Sequence, residues 1–519
     1  MKKTKRDSWG SRLGIIMAVA GSAVGLGNFL RFPGQVAQNG GGAFMIPYFI
    51  SLLLLGIPLM WIEWTLGRYG GGFEHGTAPG IFHTVWQKNR FIKYFGVIGI
   101  FGPLVIFIYY TYIASWTLGY SFLSLTGECA KANTQGQMKD LLSSYQGLNN
   151  IGLFNGSKLG ILAFIVTFLI NIFVIYFGIR GGVEKLCKIA MPVLLICGIV
   201  ILIRVLTLGT PNTLKPNWSI ANGLGYMWNP DFSALRNPKV WLAAAGQIFF
   251  TLSVGIGVIL TYASYLSKGD DVVLSGLSAV STNEFAEVIL GGSIIIPAAF
   301  VFFGPLEISN IAQGGLFNLG FVTMPLVLNQ IPFSQFFGFI WFFLLFLAGI
   351  TSSVSLAQPA IAFLEDEFDI NRKKAVQIFS VVAFFLCIPG IIFLSKGVVD
   401  ELDFWGGTFC LVLFATVESI LFAWIFGIDK AWEEIHQGAD LKIPRIYKFI
   451  IKYVTPLFLL TILSWWFIKE WLPLIMMSNV AQENRAYILG TRIILLVLFG
   501  IIALLVRSAW KRKGLIRES

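Results

Sequence analysis

Two glycine-rich stretches interrupt segments that are otherwise apolar enough to cross a membrane. Residues 20–33 read AGSAVGLGNFLRFP, and residues 246–257 read GQIFFTLSVGIG, with Thr251 and Ser253 among the apolar side chains. Because every backbone N–H and C=O in lipid must be satisfied inside the protein, glycines here favour a helix that opens beside a cavity. Opened backbone presents its dipoles to a bound solute. Two such breaks at equivalent places in two halves predict a solute-binding site near the bilayer midplane.

A second candidate for chemistry is a carboxylate inside a predicted span. Glu287 follows Asn283 by four residues, so both side chains project from one helix face. An ionisable group is expensive within a bilayer, and its presence there favours a functional role. Glu63 and Glu418 also fall in predicted spans, near expected helix interfaces, and we assign them structural roles.

The residues needed for enzymatic chemistry are scarce. The three histidines, His75, His83 and His436, fall in predicted loops or at interfaces, and no Ser-His-Asp, metal or phosphate motif accompanies them. The five cysteines show no paired spacing, so neither a disulfide framework nor a metal cluster is expected. The sequence predicts that the protein is not an enzyme and uses no organic cofactor.

The elements that position these residues are membrane helices. Hydrophobic residues make up 56% of the 519 residues and charged residues 13%, and the mean hydropathy is +0.75, beyond the apolar share of ordinary soluble domains. A span needs about 20 predominantly apolar residues. We expect an all-α membrane protein with about twelve transmembrane helices. They cover residues 12–36, 42–69, 94–124, 159–179, 187–208, 241–267, 272–303, 335–367, 374–394, 399–427, 448–472 and 486–510.

The predicted spans form two sets of five. One set covers about 12–208 and the other about 241–427, and the first span of each set, helix 1 and helix 6, is the broken one. Because each set holds an odd number of spans, the second has the opposite polarity, which predicts a 5+5 inverted repeat. Two additional helices follow at about 448–510. We treat residues 1–519 as a single polytopic membrane domain.

The net charge of +11 is explained by membrane topology. Basic residues fall in short loops and tails such as 1–6, 88–93 and 511–517, which alternate with loops of nearly balanced charge. The positive-inside rule then predicts a multi-pass cell-membrane protein with both termini in the cytoplasm. The lipid bilayer is the expected partner, and no nucleic-acid surface is indicated.

Short motifs along nearly the whole chain resemble one transporter family. They include WGSRLG, GSAVGLGNFLRFP, NGGGAFMIPY, QIFFTLSVG, STNEFAEVILGG, FLAGITSS and DELDFWGG. Together they resemble the neurotransmitter:sodium symporter family, close to its bacterial leucine-transporting members. The resemblance implies symport with sodium by alternating access and, for a bacterial member, location in the inner membrane.

The resemblance implies two sodium sites made of oxygen atoms, which hard cations prefer. One ion would be bound by the Ala23 carbonyl, the Asn28 and Asn283 side chains, Thr251 and the substrate's own carboxylate. The other would be bound by the carbonyls of Gly21, Val24 and Ala348 and the hydroxyls of Thr351 and Ser352. Serine and threonine hydroxyls also bond back to their own helices, so for any one of them a structural role stays open.

The resemblance also implies where the substrate binds. Its carboxylate would meet the N–H groups of Leu26 and Gly27, where the helix dipole favours an anion, and the Tyr110 hydroxyl. Relatives that carry monoamines have an aspartate at the position of Gly25, so here the substrate must bring its own carboxylate. The implied substrate-binding residues are Ala23, Gly25, Leu26, Gly27, Ile106, Tyr110, Phe250, Thr251, Ser253, Ile256, Ser352 and Leu356.

Gates at the two ends of the pathway follow from the same resemblance. The implied extracellular gate comprises Arg31, Asp403, Tyr110 and Phe250, and the implied intracellular gate comprises Arg6, Trp9, Tyr265 and Asp366. The Glu287 carboxylate would take the place of the chloride that other relatives require.

The expected function is sodium-coupled symport of neutral, hydrophobic α-amino acids, with two sodium ions per substrate and no chloride requirement. One alternative is a symporter of another small zwitterion, such as a β- or γ-amino acid or an osmolyte. A sodium channel is a further alternative, but it would need a continuous pore. Assembly into a homodimer stays open.

Overall fold

The computed structural model describes residues 7–148, 157–211, 214–313, 318–478 and 480–514. These residues are mostly helical, and no β-strand occurs among them beyond one isolated bridge between Gly41 and Pro230. The helices are α1 (Arg12–Ala23), α2 (Gly27–Gln38), α3 (Gly42–Gly71), α4 (Ala78–Val85), α5 (Ile92–Leu125), α6 (Gln135–Gln146), α7 (Lys158–Tyr176), α8 (Ile179–Leu206), α9 (Ile220–Trp228), α10 (Pro238–Leu252), α11 (Val258–Ala263), α12 (Val273–Pro305), α13 (Asn318–Asn329), α14 (Ser334–Phe368), α15 (Arg372–Ile392), α16 (Val398–Ile425), α17 (Ile428–His436), α18 (Ile446–Trp466) and α19 (Gln482–Arg512).

The prediction of an all-α membrane fold with about twelve spans is confirmed. In the described part of the chain, ten helices are long and apolar enough to cross a membrane, and the bent pair α1 and α2 supplies another span. The predicted sixth span is present as two shorter pieces, α10 with 15 residues and α11 with 6 residues. The inverted relation between the two sets of five stays a prediction.

Both predicted breaks are visible in the backbone. α1 ends at Ala23, and its axis meets that of α2 at 44°. Between α10 and α11, the residues Ser253, Gly255 and Gly257 have φ values of +53°, +75° and +88°. A Cβ atom on Gly257 would lie 2.7 Å from the Gly99 carbonyl oxygen. Glycine is therefore required there both by its left-handed conformation and by the closeness of α5.

The centre of the bundle is formed by α5 and α14. They pack along each other, and the most apolar windows of these helices are 100% and 83% buried. The helices approach closely through small residues, because a Cβ on Gly349 would lie 2.8 Å from the Ala114 Cβ. α1 packs against α8, α12 and α14, so the first broken span lies inside the bundle. By contrast, α15 and α19 bury only 33% and 28% of their windows.

Candidate functional site

The first break is held open by side-chain hydrogen bonds. The Gly25 N–H donates to Asn28 Oδ1 at 2.8 Å, and the Leu26 N–H donates to the Tyr110 hydroxyl at 2.9 Å. Since Tyr110 belongs to α5, the central scaffold fixes the opened backbone. The N–H groups released by the break lie at the start of α2, where the helix dipole favours negative charge.

Oxygen atoms of α1, α10 and α12 converge beside this break. The Asn28 amide NH₂ donates to Asn283 Oδ1 at 2.8 Å and to Thr251 Oγ1 at 3.1 Å. Asn283 Oδ1, which accepts from Asn28, also lies 3.3 Å from the Ala23 carbonyl oxygen and 3.2 Å from the Thr251 carbonyl oxygen. Turning this amide over would bring its NH₂ group 2.8 Å from the Asn28 NH₂ group. With its oxygen on this side, the Asn283 amide and the carbonyls of Ala23 and Thr251 place three oxygens around one point, an arrangement that suits a hard cation.

A second group of oxygens lies between α1 and α14. Ser352 Oγ is 3.3 Å from the Gly21 carbonyl oxygen and 3.0 Å from the Ala348 carbonyl oxygen, and Thr351 Oγ1 is 3.2 Å from the latter. Val24 follows directly after the last residue of α1 and is buried. Each hydroxyl can donate only one hydrogen bond, so oxygen lone pairs remain for a cation.

A cavity of about 40 Å³ adjoins both oxygen groups. Ten of the twelve predicted substrate-binding residues line it; the exceptions are Leu26 and Thr251. The Leu26 N–H is bonded to Tyr110, and the Thr251 hydroxyl to Asn28. The lining residues are Ser22, Ala23, Gly25, Gly27, Asn28, Ile106, Tyr110, Phe250, Ser253, Ile256, Ser352, Leu356, Gly407 and Leu411.

Three of these lining residues, Ser22, Gly407 and Leu411, were not predicted from the sequence. The Ser22 carbonyl accepts a hydrogen bond from Ser253 Oγ at 3.0 Å, which joins the two breaks. Gly407 and Leu411 come from α16, four residues apart and therefore on one helix face. The glycine pair in the DFWGG motif was the signal for a close approach at this face, and the helical spacing would have added Leu411.

Of the four predicted extracellular gate residues, Tyr110 and Phe250 line the cavity, and Arg31 and Asp403 do not form a direct ion pair. The Arg31 guanidinium carbon is 4.4 Å from the centre of the Phe250 ring, a cation–π arrangement. Asp403 accepts a hydrogen bond from the Tyr109 hydroxyl at 2.5 Å. No contact within 4.0 Å joins the charges of Arg31 and Asp403, both of which are among the described residues. Their closure as a pair stays a prediction.

At the opposite end, the predicted intracellular gate residues take part in a polar network. The Trp9 indole N–H donates to the Tyr262 carbonyl at 2.9 Å. The Tyr265 hydroxyl accepts from Gln358 Nε2 at 2.9 Å. The Asp366 carbonyl accepts from a lysine at 3.0 Å, and Arg6 lies outside the described residues. Which of these contacts opens during transport stays a prediction.

Glu287 is fully buried next to the first oxygen group. Its carboxylate accepts from Gln247 Nε2 at 2.7 Å and from Asn28 Nδ2 at 3.1 Å. A negative charge on this carboxylate would attract a cation bound at the first oxygen group across a low-dielectric interior. Glu63 is also fully buried, and its carboxylate accepts from the Gly255 N–H, so it supports the second break.

At the start of α1, Arg12 forms ion pairs with residues of two loops outside the spans. The Arg12 guanidinium contacts Asp271 at 2.7 Å and Asp440 at 2.6 Å. The hydrogen bond from Arg12 lowers the pKa of the Asp440 carboxyl below its ordinary value. The pair with Asp440 is exposed, so its contribution to stability is small.

Taken together, two broken spans and an enclosed cavity with oxygen groups on its border define a membrane transporter for a cation and a small solute. The Sodium:neurotransmitter symporter family matches residues 6–146 and 137–512. A sodium-dependent transporter of Methanocaldococcus jannaschii is 35% identical over 473 residues, covering 88% of this chain and 90% of that protein. A sodium-dependent dopamine transporter of Caenorhabditis elegans is 28% identical over 520 residues, covering 89% of this chain and 80% of that protein.

The fold has a solved counterpart in MhsT, whose crystal structure contains L-phenylalanine. The two structures agree with a TM-score of 0.75 at 30% identity, covering 88% of this chain and 99% of MhsT. The chain therefore belongs to the sodium:neurotransmitter symporter family. It is a sodium-dependent membrane transporter and not an enzyme.

Proposed function

We propose that this transporter carries neutral, hydrophobic α-amino acids together with two sodium ions and without a chloride requirement. The observation that carries the proposal is the position of the cavity. It adjoins the opened backbone at Gly25 and also the first oxygen group, formed by Ala23, Thr251 and Asn283, so that a carboxylate and a cation can bind side by side.

The chemistry of the first break supports an anionic group on the substrate. The Gly27 N–H and the Tyr110 hydroxyl would be donors for a carboxylate at the start of α2, and the Leu26 N–H would join them in exchange for its bond to Tyr110. None of the described residues that line the cavity is acidic. A substrate that lacks a carboxylate would therefore leave the cation beside Asn28 with fewer oxygens.

The two oxygen groups support two sodium ions. The first ion would be bound by Ala23, Asn28, Thr251, Asn283 and the substrate carboxylate, so each ligand raises the affinity of the other. The second would be bound by the carbonyls of Gly21, Val24 and Ala348 with the hydroxyls of Thr351 and Ser352. Two ions moving with a zwitterion carry two positive charges, and each charge gains about 2.3 kcal/mol per 100 mV of membrane potential.

The apolar part of the cavity supports a hydrophobic side chain. Ile106, Phe250, Ile256 and Leu356 line it, and MhsT was crystallised with L-phenylalanine. A methylene group is worth only about 1–3 kcal/mol of discrimination. The cavity is therefore also compatible with a β- or γ-amino acid or an osmolyte as the substrate. Uptake measurements with each of these compounds distinguish them from hydrophobic α-amino acids.

Chloride independence is supported by Glu287. Its buried carboxylate is bonded to Asn28 and Gln247 and in its ionised form, next to a bound cation, would provide the negative charge for which a mobile anion would otherwise be needed. Alternating access would be a rocking of the helices of predicted spans one, two, six and seven against those of spans three, four, eight and nine. The inverted repeat over 12–208 and 241–427 gives this motion its two equivalent end states.

The test is uptake by the purified full-length protein in liposomes. Labelled α-, β- and γ-amino acids and betaine-type osmolytes are compared under an inward sodium gradient, with potassium replacing sodium and gluconate replacing chloride. We expect saturable, concentrative uptake of hydrophobic α-amino acids that requires sodium and is unchanged by gluconate. Preference for a β- or γ-amino acid, a loss of uptake in gluconate, or non-saturable sodium flux would each contradict the proposal.

A further inference from the structure

The last helix, α19, touches the rest of the protein along one narrow stripe. The opposite face is exposed, and only 28% of its apolar window is buried. Successive buried positions along the helix are mostly three or four residues apart, which places them on one helix face. They are Ile488, Thr491, Leu495, Leu498, Ile502, Val506, Ala509 and Trp510. Because the helix is peripheral, its charged contacts show which segments of the protein it can position.

One charged contact lies near the start of α19. Arg492 Nε donates to Glu401 Oε1 at 2.5 Å, and its guanidinium also donates to two backbone carbonyls before α19, each at 2.9 Å. The Arg492 and Glu401 side chains are only 13% and 7% exposed. Glu401 also accepts from the Trp405 indole at 2.6 Å. Since Asp403 is two residues from Glu401, this contact fixes the part of α16 that carries the predicted extracellular gate carboxylate.

A second charged contact lies at the other end of α19. Lys513 Nζ donates to Glu367 Oε2 at 2.7 Å and to the Asp366 carbonyl at 3.0 Å. The Glu367 side chain is fully buried and also contacts His75 Nδ1 at 2.8 Å. The His75 ring in turn stacks on Trp510 of α19, with ring centres 6.0 Å apart. This contact therefore fixes the end of α14 that carries Asp366, a predicted intracellular gate residue.

The two contacts are separated by about one membrane thickness. Residues 492 and 513 are 21 positions apart (513 − 492), which corresponds to about 32 Å of helix at about 1.5 Å per residue. The hydrocarbon core of a bilayer is about 30 Å thick. A single rigid helix thus connects the two gate-bearing segments from opposite sides of the membrane.

We propose that α19 is a brace for the two gates, with Arg492 and Lys513 as its positioning residues. The inference rests on the proposed function, because it takes Asp403 and Asp366 as gate residues. Without Arg492, the buried Glu401 carboxylate keeps only the Trp405 indole N–H and loses its charged partner, so the start of α16 rearranges to reach water. That end of the pathway then opens more often, while the contact made by Lys513 still holds the other end closed.

The brace is tested with cysteine reporters at the two ends. Leu30→Cys lies beside Arg31, and Ser264→Cys lies near the predicted intracellular gate; both native residues are at most 2% exposed. The purified full-length protein is labelled with a hydrophilic thiol reagent in sodium buffer, and labelling of the protein without a reporter is subtracted. We expect Arg492→Gln to raise the labelling rate at position 30 by about fivefold or more and to leave position 264 unchanged. Lys513→Gln should do the reverse.

Matched variants separate positioning from general loss of structure. Arg507→Gln removes an exposed charge from the same helix and should change neither reporter. If Arg492→Gln does not fold, Arg492→Lys keeps the charge, loses the planar fork, and should show a smaller rise at position 30. Equal labelling in the parent, Arg492→Lys and Lys513→Gln would overturn the brace. Shifted reporters in a parent protein that does not take up hydrophobic α-amino acids would overturn the proposed substrate and leave the brace standing.

Discussion

The two breaks in the bundle are opened by different means. At the first, side chains hold the backbone: Asn28 and Tyr110 accept the N–H groups of Gly25 and Leu26. At the second, three residues in the left-handed region turn the chain, and two of them are glycines pressed against neighbouring backbone. In the proposed function the first break would therefore mainly supply ligands, and the second would mainly supply shape. Changes at the second should act through backbone strain, and changes at the first through binding.

The largest effect is expected from Gly257→Ala. The residue has a φ of +88°, and an added Cβ would lie 2.7 Å from the Gly99 carbonyl oxygen. Strain of about 1–3 kcal/mol in the left-handed region, together with the clash against α5, should abolish sodium-driven uptake and lower the melting temperature in detergent. Gly246→Ala is the matched control, because nothing lies within 4 Å of its added Cβ. Transport retained by Gly257→Ala would show that the second break is not defined by shape.

The next effect is expected from Asn283→Ala, which removes the amide oxygen that we propose as a sodium ligand in the first group. A hydrogen bond or ligand contact to a charged partner is worth about 1.5–3 kcal/mol, so the sodium concentration for half-maximal substrate binding should rise about tenfold or more. The control is Thr282→Ala, whose hydroxyl bonds back to the Ser278 carbonyl at 2.8 Å. An unchanged sodium dependence in Asn283→Ala would remove this residue from the site.

A smaller effect is expected from Tyr110→Phe. The change leaves the buried Leu26 N–H without its acceptor and removes a donor for the substrate carboxylate, which should raise the substrate KM by about tenfold. Sodium binding measured without substrate should stay as in the parent. Tyr112→Phe on the same helix is the control, since its ring packs on Trp116 at 5.2 Å. If both variants behaved alike, the hydroxyl of Tyr110 would have no special role.

The smallest effect is expected from Ser253→Ala, which breaks the 3.0 Å bond from its hydroxyl to the Ser22 carbonyl. Loss of one such bond should raise KM by about threefold. Ser253→Gly removes the same hydroxyl but suits the φ of +53°. Equal KM values for the two variants assign the effect to the hydroxyl, whereas a normal KM for the glycine variant alone would assign it to backbone strain.

The sequence predicted the broken helices because glycines, polar residues and missing charges are local signals. Most helix bounds were also close: the eighth span was expected over 335–367 and is Ser334–Phe368. The fifth was expected to begin at 187 but begins at Ile179. Arg180 and Lys185 lie in its first turns, and their charges hid the apolar pattern there.

What the sequence missed depends on contacts between distant segments. The roles of Gly407 and Leu411 in the cavity follow from how α16 packs on the broken spans. The glycine pair in DFWGG indicates a close approach but does not say which helix approaches. The stacking of Arg31 on Phe250 and the contact of Arg492 with Glu401 likewise join residues far apart in the chain. The residues of the site were therefore largely predictable from motifs, and their mutual geometry was not.

The central claim is that a sodium ion and the substrate carboxylate bind together at the first break. Its most direct test is calorimetric binding of α-amino acids to the purified protein in sodium buffer and in potassium buffer at equal ionic strength, with L-phenylalanine as the first probe and the wider panel after it. We expect binding in sodium, and an affinity lower by at least about tenfold, or about 1.4 kcal/mol, in potassium. Equal affinity for the same amino acid in the two buffers would contradict the claim.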